Sequence, residues 1–234
     1  MSAISARSSA PDGGQDGFAA WLVRDREDRR KGERTRIDLL VAGAELLAIA
    51  PLDRLTVAAL CKAAGVAHGT FYLYFSDRNA LAGALLSAFV DHVQGRMRAA
   101  ARSPGDAARN TTAAYMDLFE KNPGLMKCLV VGLDAFPEAR AAFQRLNHEW
   151  VLTVVRATQR RAGDAARPED DLMRRAYALG GMVDQYLAAI YLYEDRHVVA
   201  TAGSIKEVVA TLTAIWCRAF ADILPTADMG PAAR

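Results

Sequence analysis

Cysteines, strand-like alternation and long apolar runs are all scarce in this sequence of 234 residues. The three cysteines, Cys61, Cys128 and Cys217, are odd in number and far apart, which indicates reduced core thiols and not a disulfide framework or a metal site. Few segments alternate polar and apolar residues with a period of two, so strands have little support. No apolar run is long and uninterrupted enough to span a bilayer, and the N-terminus lacks the apolar centre of a signal peptide. We therefore expect a cytoplasmic protein with no membrane contact.

Sequence signatures of catalysis are also missing. The chain has no HExxH, GxSxG or P-loop pattern, and no pair of carboxylates that would face a common cleft. His148 and Glu149 are adjacent, so their side chains diverge around a helix and do not form a ready pair. We expect no enzyme activity and no cofactor.

The net charge of +2 is too small to indicate a nucleic-acid binder, but its distribution is uneven. The basic side chains crowd one segment, at Arg24, Arg26, Arg29, Arg30, Lys31, Arg34 and Arg36. Acidic residues within it partly offset this charge. The segment is either a solvated tail of mixed charge or an arm that contacts phosphates or enters a minor groove.

What the sequence has in abundance is helix-forming residues in helical periods. Apolar residues make up 52% of the chain, and alanine is common, which favours helix. The predicted helices cover residues 33–48, 56–64, 67–75, 77–102, 106–121, 125–133, 137–161, 170–193 and 204–221. We expect an all-α protein with a small N-terminal domain and a larger bundle.

The most informative segment, residues 56–81, predicts two short helices joined by a tight turn. Thr56 can cap the first helix, and Gly65 stands at the turn, where a positive φ is cheap only for glycine. The second helix buries Phe71 and Phe75, four residues apart. The side chains left to point outward are His68, Thr70, Tyr72 and Tyr74. Hydroxyls and an imidazole exposed on a short helix are suited to reading the major groove of DNA.

These residues carry a family resemblance over residues 34–85. Its elements are Thr35-Arg36, Thr56-Val57, Ala64-Gly65-Val66, Gly69-Thr70-Phe71-Tyr72 with Tyr74-Phe75, and then Arg78 and Leu81. In these positions the chain resembles the TetR family of transcriptional regulators. The C-terminal half resembles the family only in length, helicity and layout.

The resemblance implies a division of the chain. A disordered basic extension would cover residues 1–32, a helix-turn-helix DNA-binding domain residues 33–80, and a domain for ligand binding and dimerisation residues 81–225. A flexible tail would cover residues 226–234. Around Phe18 and Trp21 the extension turns apolar, and this stretch is either a short docked helix or a continuation of the first helix.

The resemblance also implies which residues face double-stranded DNA: Arg36, Thr56, His68, Gly69, Thr70, Tyr72, Tyr74 and Arg78. Among them His68 would read bases, and Arg78 would clamp a phosphate. Ala67 stands where the family often has a serine-type cap, so the recognition helix lacks that hydroxyl.

Methionines and aromatic residues recur in the C-terminal half, where such stripes are usually core. In this family the bundle usually holds a ligand cavity, and its candidate lining is His92, Tyr115, Met116, Phe119, Met126, Phe143, His148, Trp150, Tyr177, Met182 and Tyr186. The effector implied is small and apolar or aromatic.

A single helix-turn-helix of this size, here called the reader, would bind DNA weakly. A homodimer that places two readers on a palindromic operator binds more tightly. The candidate interface residues are Leu172, Ala176, Leu179, Val183, Val208, Leu212, Ile215 and Trp216, on the last two long helices. The function implied is a repressor that a ligand releases by tilting the helix that begins near Arg78. A regulator with no small-molecule effector, a sequence-tolerant DNA binder and a helical-bundle enzyme are the alternatives. No residue decides between repression and activation.

Overall fold

The computed structural model describes residues 17–27, 29–132, 137–163 and 167–223, and every regular element in these ranges is helical. The helices are α1 (Phe18–Glu27), α2 (Lys31–Ile49), α3 (Val57–Ala64), α4 (His68–Phe71), α5 (Arg78–Arg102), α6 (Ala107–Lys121), α7 (Pro123–Met126), α8 (Pro137–Ala162), α9 (Glu169–Tyr191), α10 (Arg196–Ala202) and α11 (Ile205–Ala219). A 3₁₀ turn covers Leu52–Arg54, and α7 runs into a π-helical turn over Lys127–Val131. The all-α prediction is confirmed. Predicted disorder in residues 1–16 and a predicted flexible tail at 226–234 lie outside the described residues.

The turn between α3 and α4 forms as its sequence predicts. The hydroxyl of Thr56 accepts a hydrogen bond from the backbone N–H of Ala59 at 3.1 Å and so caps α3. Gly65 has φ +67°, and the next amide, of Val66, donates to the carbonyl oxygen of Cys61 at 3.0 Å. The chain can therefore reverse direction within two residues and start α4.

Helix α4 is shorter than the nine residues expected over 67–75. It ends at Phe71, and the turn that follows is tighter, because the amides of Leu73 and Tyr74 donate to the carbonyl oxygens three residues back, those of Thr70 and Phe71. Ala67 provides no side-chain cap. Phe71 and Phe75 are buried as predicted, and the turn after α4 returns the chain to the core.

Helix α1 corrects the expectation of a disordered extension through residue 32. Phe18 is fully buried, and its ring packs edge-on against Phe89 of α5. Its amide donates to Oδ1 of Asn122 at 2.7 Å. Of the two alternatives for this stretch, the short docked helix is therefore the one that the fold adopts.

Helix α5 joins the two predicted domains into one body. The carboxylate of Asp77 caps it by accepting from the amide of Ala80 at 2.8 Å. It has 25 residues and is thus about 37 Å long. One core cluster contains Leu60 and Phe71 at one end and Leu212 at the other, so the predicted boundary at residues 80 and 81 crosses continuous packing.

Helices α5, α6, α8, α9 and α11 build the C-terminal body. Ser204 and Glu207 form the expected capping box at the start of α11. Helix α10, between α9 and α11, was not predicted. In the described part of the chain no single helix is long and apolar enough to cross a membrane, and the one pair that has the length together, α10 with α11, is bent by 91°.

Candidate nucleic-acid interface and ligand cavity

The outer side of α4 presents polar groups on an open surface. His68 and Tyr72 are exposed, with ring centroids 5.5 Å apart, and 52% of Tyr72 is accessible. Thr70 is partly exposed between them. A Cβ atom added at Gly69 would meet nothing within 4 Å, so another molecule can approach the backbone there. These four predicted DNA-facing residues share one surface.

Leu73 belongs to this surface and was missed in the sequence. It is 79% exposed, beside Tyr72. The helical period could have identified it, because Leu73 lies midway between Phe71 and Phe75, and when these two point inward it must point outward. An exposed leucine here can contact the methyl group of thymine or the sugar edge.

Arg36 and Tyr74 lie at the margin of α4 and connect it to α2. The guanidinium carbon of Arg36 is 5.3 Å from the centroid of the Phe75 ring, a cation–π contact. Tyr74 is half-buried, and its hydroxyl lies 3.7 Å from where a Cβ atom of Gly32 would be. Both side chains therefore orient α4 on α2 whether or not they touch DNA.

Arg78 and Thr56 already have partners within the chain. Nη1 of Arg78 donates to the carbonyl oxygens of Asp53 and Leu55 at 3.1 and 3.0 Å, which fastens the start of α5 to the linker before α3. The Thr56 hydroxyl is the α3 cap. Arg78 has further N–H groups on its guanidinium, so a phosphate contact and this structural role are compatible.

Two basic residues of the predicted arm, Arg26 on α1 and Arg34 on α2, hold these helices together. Arg26 pairs bidentately with Asp38, at 2.5 and 3.2 Å, and the pair raises the pKa of Arg26. Nε of Arg34 donates to the carbonyl oxygen of Arg29 at 2.7 Å, and its Nη2 to that of Glu27 at 3.2 Å. This part of the predicted arm is a helix-to-helix joint, and its contact with DNA stays a prediction.

A cavity of about 370 Å³ opens in the C-terminal body between α5, α6, α8, α9 and α11. Met97 and Ala101 of α5 form one wall. Small residues shape much of the rest, at Gly105, Ala107, Ala108, Ala157 and Gly180, and aromatic rings close it, at Tyr115, Trp150, Trp216 and Phe220. Its size is that of a site for a small organic molecule.

One polar pair stands in the cavity wall. The hydroxyl of Tyr115, on α6, donates to Oδ1 of Asp184, on α9, at 2.7 Å, and both side chains are buried. Burial raises the pKa of Asp184 to about 6, while the hydrogen bond from Tyr115 lowers it. Burial and the adjacent carboxylate raise the pKa of Tyr115 well above its usual value, so the hydroxyl stays protonated and the pair links the two helices.

Among the residues predicted to line a cavity, Tyr115 and Trp150 do so. Met116, Phe119 and Met126 fill the main core, and Phe143, Met182 and Tyr186 pack against it. His148 and Tyr177 are exposed, and Nδ1 of His148 lies 2.9 Å from the Tyr177 hydroxyl. Large apolar side chains were poor predictors of the cavity lining, because they fill space in the core. A cavity forms where small residues leave volume unfilled.

His92, the other polar candidate, lies beneath α1 and not in the cavity. Its ring contacts those of Phe18 and Trp21, with centroids 5.3 and 5.1 Å away, and Nε2 has no partner among the described residues. Burial, and then the nearby charges of Arg96 and Arg24, lower its pKa to about 4. The imidazole is therefore neutral at physiological pH.

Most residues predicted for the dimer interface are buried within the chain itself. This holds for Leu172, Ala176, Leu179, Val183, Val208 and Leu212. Val183 and Trp216 line the cavity, and Ile215, at 39% accessible, stays on the surface. The open faces of α9 and α11 carry other residues, among them Tyr177, Ala178, Gly181, Ala210 and Ala214. The apolar periodicity identified the inner faces of these helices and not a dimer interface. A periodic pattern predicts that residues are buried, but it does not distinguish burial within one chain from burial against a second chain.

Comparison with known proteins agrees with this layout. The family model described as bacterial regulatory proteins, tetR family, matches residues 39–85, which include α3 and α4. The HTH-type transcriptional regulator EthR of Mycolicibacterium smegmatis is 25% identical over 205 residues, which are 86% of this chain and 92% of that protein. The uncharacterized HTH-type regulator YvdT of Bacillus subtilis is 41% identical over 63 residues, 25% of this chain and 32% of that protein.

Solved structures share the fold at low sequence identity. The fatty acid degradation regulator FadR from Bacillus halodurans superposes with a TM-score of 0.64 at 15% identity, covering 80% of this chain and 96% of its own. AlkX, a TetR family repressor from a Dietzia species implicated in biodegradation of n-alkanes, has a TM-score of 0.52 at 17% identity, covering 80% and 98%. The similarity covers the N-terminal helices and the C-terminal body alike.

Proposed function

The chain belongs to the TetR family of DNA-binding transcriptional regulators, and we propose that it is a homodimeric repressor released from a palindromic operator by a small, largely apolar ligand. The DNA-facing residues of this proposal are those on and around α4, with Leu73 added. The protein acts where DNA is, in the cytoplasm, and its cavity binds a ligand without turning it over.

The observation that carries the proposal is the reach of α5. Arg78, in its first turn, is bonded to the linker before α3, and Met97 and Ala101, near its other end, line the cavity. One rigid helix therefore touches both sites. A ligand that binds better when α5 is tilted moves the linker and, with it, the reader.

Dimerisation turns this movement into a change in affinity. Two readers on a palindrome must match successive major grooves about 34 Å apart or a multiple of that spacing. The exposed faces of α9 and α11 carry small residues at Ala178, Gly181, Ala210 and Ala214, and small residues let helices approach closely. We propose that the partner chain packs on these exposed faces and not on the buried residues predicted for the interface. Arg175 supports this surface, since it donates to the carbonyl oxygen of Ala219 at 2.7 Å and pairs with Asp222, tying α9 to the end of α11.

The ligand class has support from the cavity and from two fold relatives. Most of the lining is aliphatic or aromatic. FadR is a regulator of fatty acid degradation, and AlkX is implicated in the biodegradation of n-alkanes. An apolar molecule, or one with a long apolar part, fits both observations.

Selection of bound fragments from the source genome by the purified protein, at near-physiological salt, tests the DNA-binding part. We expect a short palindrome to be enriched. Tyr72→Phe should then weaken operator binding about tenfold, because a hydroxyl bonded to a charged phosphate is lost. Tyr193→Phe is the matched control, since Tyr193 is equally exposed, at 50%, on the turn after α9. Binding without enrichment that disappears with added salt would refute a specific regulator and favour a sequence-tolerant binder.

A regulator without a small-molecule effector is the second candidate. A filled or absent cavity would favour it, and the cavity of about 370 Å³ disfavours it. Operator binding that no cavity ligand alters would favour it.

A further inference from the structure

Three charged side chains line the cavity: Asp106 and Arg161 lie exposed at its rim with opposite charges, and Asp184 is buried in its wall. Asp184 is 6% exposed, and Tyr115 is its one hydrogen-bond donor among the described residues. The hydroxyl of Tyr115 binds Oδ1 of this carboxylate. Burial and the Tyr115 hydrogen bond are the two influences on its pKa, and no basic side chain contributes. A buried carboxylate without a cation is costly.

A purely structural role would not require the charge. An asparagine could accept the same bond from Tyr115 and join α6 to α9 without placing an ionisable group in an apolar site. The other buried polar group on α6, Thr111, is satisfied locally, because its hydroxyl donates to the carbonyl oxygens of Ala107 and Ala108. Asp184 is therefore the acidic group that the buried wall offers to a ligand, while Asp106 lies exposed at the rim and caps α6.

The rings around the cavity favour the same kind of ligand. Trp150 comes from α8, Trp216 from α11 and Phe220 from the residue directly after α11, and the last two ring centroids are 6.2 Å apart. The faces of such rings attract cations and also pack against apolar groups.

We propose that the effector of this cavity is a cationic amphiphile, an organic ammonium ion with an apolar body, whose positive charge pairs with Asp184. The proposal rests on the proposed function, since it names the ligand class of the same cavity. The ammonium group lies between the carboxylate and the aromatic rings, and the apolar body extends toward Met97 and Ala101, where it meets α5. A carboxylate ligand is disfavoured at this position because its charge has the same sign as that of Asp184.

Three probes that share one chain and differ in the head group test the proposal: octyltrimethylammonium, 1-octanol and octanoate. Titration calorimetry, with the fluorescence of Trp150 and Trp216 as a second readout, measures their affinities. We expect the ammonium ion to bind about tenfold more tightly than octanol, and octanoate to bind most weakly. In Asp184→Asn the ammonium affinity should fall about tenfold while the octanol affinity is kept, which also shows that the cavity is intact.

Asp170→Asn is the matched control, because it removes an exposed carboxylate from the same helix as Asp184, outside the cavity lining. It should leave all three affinities unchanged. Octanol or octanoate binding as tightly as the ammonium ion, an unchanged ammonium affinity in Asp184→Asn, or no binding of any probe would each overturn the cationic class. Tight binding of octanol or octanoate that weakens operator binding would at the same time uphold the ligand-released repressor, so the two failures are distinguishable.

Discussion

Gly124 lies at the contact between α7 and the end of α2, where the C-terminal body meets the N-terminal helices. A Cβ atom added at Gly124 would lie 1.9 Å from the carbonyl oxygen of Leu47, 2.6 Å from its carbonyl carbon and 3.0 Å from Cα of Ala48. All three atoms are backbone, so no side-chain rotation relieves the clash. Gly124→Ala must therefore separate α7 from α2.

The required displacement sets the size of the effect. To reach an ordinary contact of 3.4 Å, the Leu47 carbonyl must retreat by about 1.5 Å. Overpacking of this kind costs about 3 kcal/mol, which for a chain of this length lowers Tm by roughly 6–12 °C. Gly95→Ala has the opposite sign, because Gly95 is exposed on α5 and its added Cβ meets nothing within 4 Å. That change should stabilise the protein by about 0.5–1 kcal/mol.

Thermal and urea unfolding, followed by far-ultraviolet circular dichroism, measure both variants against the wild type. Operator binding by folded Gly124→Ala is the second readout, and we expect it to weaken because α2 carries α3 and α4 with it. A Tm for Gly124→Ala within about 2 °C of the wild type would refute the close packing of α7 on α2. Equal effects at Gly124 and Gly95 would refute the steric origin.

Four further predictions follow from buried or bonded side chains. Because the pKa of Asp184 is raised from 3.8 to about 6 in the folded protein, its contribution to stability is greatest below pH 3.8 and is lost as the pH rises to about 6. The free energy of unfolding of Asp184→Asn, measured by urea titration, should therefore rise relative to that of the wild type by up to about 3 kcal/mol between pH 4 and pH 7. The lowered pKa of His92 acts in the opposite sense, because the neutral ring favours the folded state as pH rises from about 4 to 6.5, so His92→Gln should flatten that rise. Arg78→Ala should lose about 1–3 kcal/mol in thermal unfolding, whereas a purely phosphate-binding arginine would leave Tm unchanged. Phe18→Ala should cost about 3–5 kcal/mol and make the amides of α1 exchange rapidly with deuterium, and protection as in the wild type would show that α1 is held by other contacts.

The reader was predictable because its determinants are local. Thr56, Gly65, Phe71 and Phe75 act within a few residues of themselves, through a cap, a left-handed turn and a helical period, and each does in the fold what its position in the sequence predicts. The length of α4 was not predictable in this way. The helix ends at Phe71, and the turn after it brings Phe75 into the core.

The sequence by itself determined that the chain is helical, where most of its helices begin and end, and which short segment exposes polar side chains. Only the tertiary structure decided which surfaces of those helices are inside. The cavity needs small residues from several helices to coincide, and no single helix carries that information. The same holds for Asp184 and Tyr115, which are 69 residues apart and pair only because α6 packs on α9. It also holds for α1, whose Phe18 packs against Phe89 of α5 and donates its amide to Asn122.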